Sequence, residues 1–191
     1  QVCLIFCKNV SIIFIENWHY DVDCAEDFIK EVPEEIPFMA TSCCPAWASM
    51  AKKLFPEQAK CISMALTPMV LTARLIKHQH PNAKVVFIGP CTAKKAEAQL
   101  ESVKPYVDSV LTFEELQALF DSKDIDITTL HEDMLDNASY YGRIFAKSGG
   151  IKEGLIAMGE KHFGIDNLNP ISMSGINECR TALLKLNIFI G

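Results

Sequence analysis

Two short segments of the sequence combine cysteine with residues that place thiols at the edge of a sheet. Thr41–Trp47 reads TSCCPAW and Gly89–Lys95 reads GPCTAKK, and each follows an apolar run that predicts a buried strand. In open α/β sheets, ligands bind in the crevice beyond the carboxyl ends of the strands. Because thiolate sulfur is a soft ligand, the two segments predict a soft-metal site.

The residues beside these cysteines favour the thiolate form. Pro45 is typical of the first position of a helix, which puts Cys44 at the N-cap and Cys43 just before it, where the helix dipole favours negative charge. Lys94 follows Cys91 by about one helical turn and belongs to a Lys-Lys pair. Its ammonium group would donate to the sulfur or to an anionic ligand beside it.

The alternative is that Cys44 and Cys91 are buried structural thiols. For either cysteine considered alone, this alternative remains open. The combination of a vicinal Cys-Cys-Pro, a second Pro-Cys at a strand end and a Lys pair favours metal binding. Zinc sites generally use close pairs such as Cys-x-x-Cys, and the sequence contains no Cys-x-x-Cys. Iron–sulfur clusters suit isolated thiolates from separate loops. The adjacent residues His131, Glu132 and Asp133 lie in a polar stretch and are expected to be solvated.

The elements that position these segments alternate between strands and helices. Apolar runs predict buried strands over Ser11–Ile15, Ile36–Ala40, Lys84–Ile88 and Ser109–Leu111. Helical periodicity and capping residues predict helices over Cys24–Val32, Pro45–Phe55, Pro68–His80, Phe113–Phe120, Ser148–Phe163 and after Ser174. The alternation predicts an α/β fold with a largely parallel sheet flanked by helices. The polar stretch Asp121–Tyr141 is expected to be a surface excursion.

Composition narrows the class of protein. The chain has 191 residues, 49% of them hydrophobic, with a net charge of -6 and a pI near 5.4. A negative balance without a basic face argues against nucleic acid and against anionic membranes as partners. The sequence has no apolar window of the length that spans a bilayer, which is about 18 residues or more. Eight cysteines without a secretory signal indicate reduced thiols in an intracellular protein, and a start at Gln1 suggests a piece of something longer.

The two cysteine segments resemble the first two signature motifs of the iron-only (di-iron) hydrogenases. The likeness runs in the family's order from about Asp23 to Leu186. It continues through Phe55–Glu57, Leu66–Pro68, Thr112–Leu116, Ser148–Gly150 and Ser174–Gly175. By this resemblance, residues 1–191 are part of the C-terminal domain of the large subunit in such an enzyme, which is the domain that holds the H-cluster. Its lobes are expected at about 1–80 and 81–175.

The resemblance implies a two-lobed catalytic domain that holds the H-cluster in the cleft between its lobes. This cofactor is a 4Fe-4S cubane joined to a two-iron unit that carries carbon monoxide, cyanide and a bridging dithiolate, and it makes or splits hydrogen. Cys44 and Cys91 would be cubane ligands, and Cys43 would be the thiol that passes protons to the dithiolate amine. Lys94 would donate a hydrogen bond to a cyanide, with Pro90 beside the cofactor.

The same resemblance implies a proton relay and a set of partners. The relay would continue from Cys43 through Ser63 to Glu26, with Asp23 as a further candidate. Electrons would come from ferredoxin or from upstream iron–sulfur domains, and maturation proteins would load the two-iron unit. An anaerobic cytoplasm is the expected location.

The sequence also departs from the family. The third motif, which supplies the other two cubane ligands, is absent, so the chain alone is expected to be incomplete and inactive. Five further cysteines match no ligand position and are interpreted as core thiols: Cys3, Cys7, Cys24, Cys61 and Cys179.

Two other functions stay open at this point. One is a degenerate relative that keeps the fold as an iron–sulfur scaffold or as a redox- or hydrogen-sensing module. The other is a doubly wound domain that binds a nucleotide through a Gly-rich turn. The sequence contains neither G-x-G-x-x-G nor a Walker A pattern to support the second.

Overall fold

The computed structural model describes residues 4–6, 12–14, 18–32, 34–131, 149–165 and 170–190. Its strands are β1 (Leu4–Phe6), β2 (Ile12–Phe14), β3 (Val86–Ile88) and β4 (Ser109–Leu111). Its α-helices are α1 (Trp18–Glu31), α2 (Pro45–Leu54), α3 (Pro68–Gln79), α4 (Ala93–Ala98), α5 (Phe113–Asp121), α6 (Gly150–Met158) and α7 (Gly175–Ile190). Short 3-10 helices cover Gln58–Cys61 and Ile127–Thr129, and a π-helical turn covers Gly159–Phe163.

The chain divides into two compact units, and each unit is assembled from two separate stretches of chain. The first unit consists of Gln1–Glu16 and Pro68–Ala146, and the second consists of Asn17–Thr67 and Lys147–Gly191. These units therefore differ from the contiguous lobes, about 1–80 and 81–175, that the sequence suggests.

The first unit contains a four-stranded sheet in the order β2-β1-β3-β4. Strand β1 pairs antiparallel with both β2 and β3, whereas β3 and β4 are parallel. The α/β class is confirmed, but this sheet is mixed and not mostly parallel. Only the residues between Phe6 and Ile12 connect β1 to β2, and a parallel crossover needs a dozen or more. The longer connection between β3 and β4 contains α4 and permits parallel pairing.

The core of the first unit comes from β3 and the helices of this unit. Val85, Phe87 and Ile88 are buried along and just before β3. The helix α3 buries Met69, Val70, Ala73 and Ile76, which recur at helical spacing. Apolar positions three and four residues apart form one helical face, so α3 presents a continuous buried stripe.

The second unit has a core built around α2. Trp47, Ala51 and Phe55 follow one another at one helical turn and pack in one buried cluster with Ile62 and Leu183. The helix α1 packs against α6 in the same unit.

The predicted strand Ile36–Ala40 is wrong except at its last residue. Ala40 forms a parallel bridge with Ile62, in which the Ala40 N–H donates to Cys61 O and the Ser63 N–H donates to Ala40 O, both at 2.8 Å. Pro37 lies inside the predicted run and lacks the N–H that a central strand needs.

The helix predictions hold better. α2, α3 and α5 begin where predicted, and Thr112 forms the expected capping box with Glu115. The helix α1 begins earlier than predicted, at Trp18. In α7, Leu183 is buried while Ile176 and Leu184 are exposed, so the predicted common apolar face is only partly buried.

The predicted surface excursion is exposed from Asp121 to His131, and the rest of it lies outside the described residues. Within the described part of the chain, we find no helix that is both long enough and apolar enough to cross a membrane.

Candidate metal centre

Cys44 lies at the N-cap of α2, as its position before Pro45 predicts. Its backbone is extended, and its Sγ accepts a hydrogen bond from the Trp47 N–H at 3.5 Å. The first N–H groups of a helix have no partner within the helix. A sulfur at this position therefore satisfies one of them and stands at the positive end of the helix dipole.

Side-chain hydrogen bonds hold the loop before α2 in place. Ser42 Oγ donates to Ala65 O at 2.7 Å, and Trp47 Nε1 donates to Thr41 O at 3.2 Å. Cys43 Sγ lies 3.9 Å from Thr41 Oγ1. Cys43 is thus presented by a loop that is tied to the neighbouring segment 61–65.

Ser63 is buried in that neighbouring segment and contacts α1. Its hydroxyl donates to Asp27 Oδ2 at 2.7 Å and accepts from the Ala65 N–H at 3.0 Å. Cys24 Sγ lies 3.9 Å from the same oxygen. A buried hydroxyl therefore bridges a thiol and a carboxylate that stand three residues apart on α1.

Glu26, the predicted carboxylate of the relay, lies on the exposed side of α1 and pairs with Lys30 at 3.3 Å. Cys24 and Asp27 share the inward face because residues three apart on a helix are neighbours. Sequence reasoning missed Asp27. The signal that could have found it is its spacing from Cys24, an apolar residue on the buried face.

Cys91 and Lys94 belong to the first unit. Pro90 is exposed and Cys91 is half-buried in the loop between β3 and α4, which the Gly89 N–H anchors to Leu111 O at 3.1 Å. The Lys94 N–H donates to Cys91 O at 3.2 Å. The backbone therefore fixes the Lys94 position relative to Cys91.

The Lys94 side chain is buried in an ion pair. Lys94 Nζ lies 2.7 Å from Glu97 Oε2, and the two side chains are only 6% and 7% exposed. Long charged side chains are almost never this deeply buried unless they are paired. Sequence reasoning assigned no role to Glu97, although its spacing from Lys94 is one that brings helical side chains together.

The predicted site residues are therefore distributed over both units. Cys43, Cys44, Ser63 and Glu26 belong to the second unit, whereas Pro90, Cys91 and Lys94 belong to the first. No three His, Cys, Asp or Glu side chains of the described residues are grouped closely enough to hold a metal ion. His131 is exposed, while Glu132 and Asp133 lie outside the described residues.

The remaining described cysteines differ in how deeply they are buried. Cys24 and Cys61 are buried, and burial raises the pKa of Cys61 despite the nearby Lys60 charge. Cys179 is half-buried and packs against the same apolar cluster as Cys44. Burial raises the pKa of Cys179, and a negative charge on Cys44 raises it further. Cys3 and Cys7 lie outside the described residues.

The donor set agrees in part with an iron–sulfur cluster. Cys44 and Cys91 are free, half-buried thiols at loop ends, which suits ligands that must reach an exogenous group. Two such thiols are half of the four thiolates that a cubane requires.

Comparison with known proteins places these features in a family. Residues 18–188 match the family model for the C-terminal domain of the iron-only hydrogenase large subunit. The sequence is 26% identical over 198 aligned residues to iron hydrogenase 1 of Clostridium pasteurianum, covering 92% of this chain and 34% of that protein. It is also 33% identical over 95 residues to the cytosolic Fe-S cluster assembly factor NAR1 of Kluyveromyces lactis, covering 50% of this chain and 20% of that protein.

Solved structures give the same result. An apo FeFe-hydrogenase variant from Chlamydomonas reinhardtii superposes with a TM-score of 0.57 at 26% identity, covering 85% of this chain and 44% of that chain. The chain spans about a third of the length of the hydrogenases it matches among curated proteins.

Proposed function

The chain belongs to the iron-only hydrogenase family, as a match to the C-terminal domain of its large subunit, and from that membership we propose that it is part of a catalytic domain that interconverts protons and electrons with molecular hydrogen. The observation that carries this proposal is the placement of Cys44 at the N-cap of α2, with Cys43 beside it on a loop fixed by hydrogen bonds.

Cys44 and Cys91 are the proposed ligands of the cubane half of an H-cluster, and Pro90 would lie beside that cofactor. When bound, the cluster would supply the iron atoms at which the reaction takes place and would pass on the electrons that the donor protein delivers. The helix dipole at the start of α2 favours the negative charge of a ligating Cys44. Two matched cysteines are half of the four ligands needed, so this chain alone is expected to bind a cubane weakly or not at all.

Cys43 is the proposed proton carrier. A carrier must stand within hydrogen-bond reach of the group that it serves, and a thiol next to a ligating cysteine is suited to that role. The hydrogen bonds from Ser42 and Ala40 hold the Cys43 loop against the segment that contains Ser63.

Ser63 and Glu26 are the proposed next members of the relay. The contact of Ser63 with Asp27 at 2.7 Å supports Asp27 as the carboxylate that exchanges a proton with this hydroxyl. Glu26, which is exposed, is then suited to exchange protons with water.

Lys94 is the proposed donor to a cyanide of the two-iron unit. An ammonium group in a dry environment interacts more strongly with an anionic acceptor than it does in water. The hydrogen bond from Lys94 Nζ to Glu97 Oε2 at 2.7 Å supports this role, because it restricts the position of the Lys94 side chain.

The test is hydrogen evolution by this chain extended through the family's third cysteine motif, reconstituted anaerobically and given a synthetic two-iron cofactor. Cys43→Ala should retain its iron but lose activity by roughly 100-fold or more, the effect of removing a general acid–base. Cys61→Ala removes a buried thiol of the same unit and should retain both properties. Equal activity in Cys43→Ala and the unaltered protein would exclude Cys43 as the carrier.

A second candidate function is a non-catalytic iron–sulfur scaffold or a redox- or hydrogen-sensing module. The similarity to cytosolic Fe-S cluster assembly factors favours it. The same experiment separates the two functions. An extended protein that binds a cubane and evolves no hydrogen would be a scaffold or sensor.

For the catalytic function, we propose ferredoxin or attached iron–sulfur domains as the electron donor, and maturation proteins as the source of the two-iron unit. The anaerobic cytoplasm remains the proposed location.

A further inference from the structure

An open pocket of about 410 Å³ lies beside α3 in the first unit. The described residues that line it combine cationic side chains with an aromatic ring and an aliphatic side chain, and all of them lie outside the two cysteine motifs: Arg74, Leu75, Lys77, His78 and Tyr106. Small-molecule sites generally have volumes of about 300–1,000 Å³ and apolar walls with a few polar groups. The pocket therefore has the size and the kind of lining of a site for a small organic molecule.

The core of the first unit fixes both walls of this pocket. On α3, Arg74 directly follows Ala73, which is completely buried. Tyr106 lies in the turn before β4, between Val103 and Val107, which are 5% and 3% exposed. The Tyr106 N–H also donates to Val103 O at 2.9 Å. Because both walls are already ordered, a ligand would lose little affinity to the cost of ordering them.

Arg74 has hydrogen-bonding capacity that the described residues do not use. Its guanidinium carbon lies 4.8 Å from the centre of the Tyr106 ring, which is a cation–π contact. Within the described part of the chain, no hydrogen bond or ion pair involves the Arg74 side chain, and its buried Nε has no hydrogen-bond partner. Guanidinium N–H groups recognise carboxylate and phosphate oxygens in pairs. Since Nε is covered, the two terminal Nη atoms are the donors that a ligand would reach.

The charged groups around the pocket leave an excess of positive charge. Lys77 Nζ donates to Asp108 Oδ2 at 2.8 Å and to Ala83 O at 2.7 Å, and Lys84 Nζ donates to Asp108 Oδ1 at 2.9 Å. One carboxylate thus serves two lysines, and Arg74 adds a further positive charge. The whole chain has a net charge of -6, so this local excess runs against the overall balance. It favours an anionic ligand over a neutral or cationic one.

We propose that this pocket binds a small organic anion through Arg74. The acid group of the ligand, a carboxylate or a phosphate, pairs with the guanidinium, because charge-assisted hydrogen bonds are the strong ones. The apolar part of the ligand packs against Tyr106 and Leu75, and the Leu75 side chain is 41% exposed in the empty pocket. A bare inorganic anion would leave most of the pocket unfilled, so the site fits an acid group that is attached to an apolar body.

This site goes beyond the proposed function, because it uses none of the residues assigned to the cluster or to the proton relay. Its ligand binds without a cluster, so the chain is tested as it is. Failure of the test would leave the proposed function untouched, since hydrogen evolution by the extended protein is measured separately.

The test is an NMR titration of the ¹⁵N-labelled chain with phenyl phosphate, followed through the arginine Nε–Hε signals. We expect the Arg74 signal to shift and to saturate, while the signal of Arg180, an exposed residue of the second unit, stays in place. Inorganic phosphate and phenol each lack one half of the probe and should bind roughly tenfold more weakly or worse. Benzoate in a parallel titration distinguishes the acid groups, and saturable binding of either ring-bearing anion supports the proposal.

Two variants assign the binding to the pocket. Arg74→Gln removes the guanidinium and should weaken binding of the ring-bearing anion by roughly tenfold or more. Arg180→Gln makes the same change at the exposed position and should bind as the unaltered chain does. Unchanged affinity in Arg74→Gln would overturn the proposal. In the unaltered chain, where no variant has to fold, the proposal is also overturned by an Arg74 signal that neither anion shifts, or by equal affinity for phenyl phosphate and phenol.

Discussion

At the scale of single residues, Lys94 forms a buried ion pair with Glu97, three residues after the proposed ligand Cys91. A buried ion pair is weak evidence for stability, because desolvation offsets much of the attraction. Its value here lies in holding an ammonium group one helical turn from Cys91. The pair thus connects the packing of α4 to the proposed chemistry.

Removing the Glu97 carboxylate should destabilise the fold. Glu97→Ala takes the anion away from a deeply buried ammonium, a change that costs roughly 3–5 kcal/mol. Glu101→Ala is the matched control, because its ion pair with Lys104 is exposed and is worth about 1 kcal/mol or less. Urea unfolding of both variants measures the difference. Similar losses in the free energy of unfolding would show that the buried pair contributes no more to stability than the exposed pair.

At the scale of secondary-structure elements, α7 is attached to the second unit through Leu183. Leu183→Ala should cost about 2–5 kcal/mol in the free energy of unfolding, since it leaves a cavity in the apolar cluster. The adjacent Leu184 is 48% exposed, so Leu184→Ala should change stability little. Equal effects of the two substitutions on thermal unfolding would mean that α7 does not pack as described.

The strand β3 and helix α3 are linked through one carboxylate. Burial alone would raise the pKa of Asp108, but hydrogen bonds from Lys77, the Val85 N–H and Lys84 outweigh burial and lower the pKa from 3.8 to about 2. Because the folded-state pKa is depressed, the stabilisation is fully present above about pH 4 and is lost as the pH falls toward 2.

Asp108→Asn should remove this acid dependence. We expect it to lower stability at neutral pH by on the order of 1 kcal/mol, after allowance for solvent screening, and to have little effect near pH 2. Unfolding curves recorded across this range test the sign. A difference between the two proteins that grows as the pH falls would contradict the assignment.

Sequence patterns correctly predicted the elements whose ends are determined by residues close together in the chain. Pro45 and the Thr112 capping box fix where α2 and α5 begin, because both act within one helical turn. The position of Cys44 at the N-cap followed from the same local rule. The partner of Ser63 did not, because Asp27 reaches it from a segment far away in the chain.

At the scale of the whole molecule, each compact unit carries one of the two motif cysteines. Cys44 belongs to the second unit and Cys91 to the first, and each unit consists of two stretches that alternate along the chain. Sequence reasoning could not predict this interleaving, since the boundaries at residues 16, 67 and 146 carry no compositional signal.

Iron content after anaerobic reconstitution tests the central claim most directly. In this chain extended through the family's third cysteine motif, we predict about four irons per chain with the EPR signal of a reduced cubane. Cys44→Ser and Cys91→Ser should each lose most of both, while Cys61→Ser should keep them. Undiminished iron and signal in both ligand variants would contradict the assignment of Cys44 and Cys91 as cluster ligands.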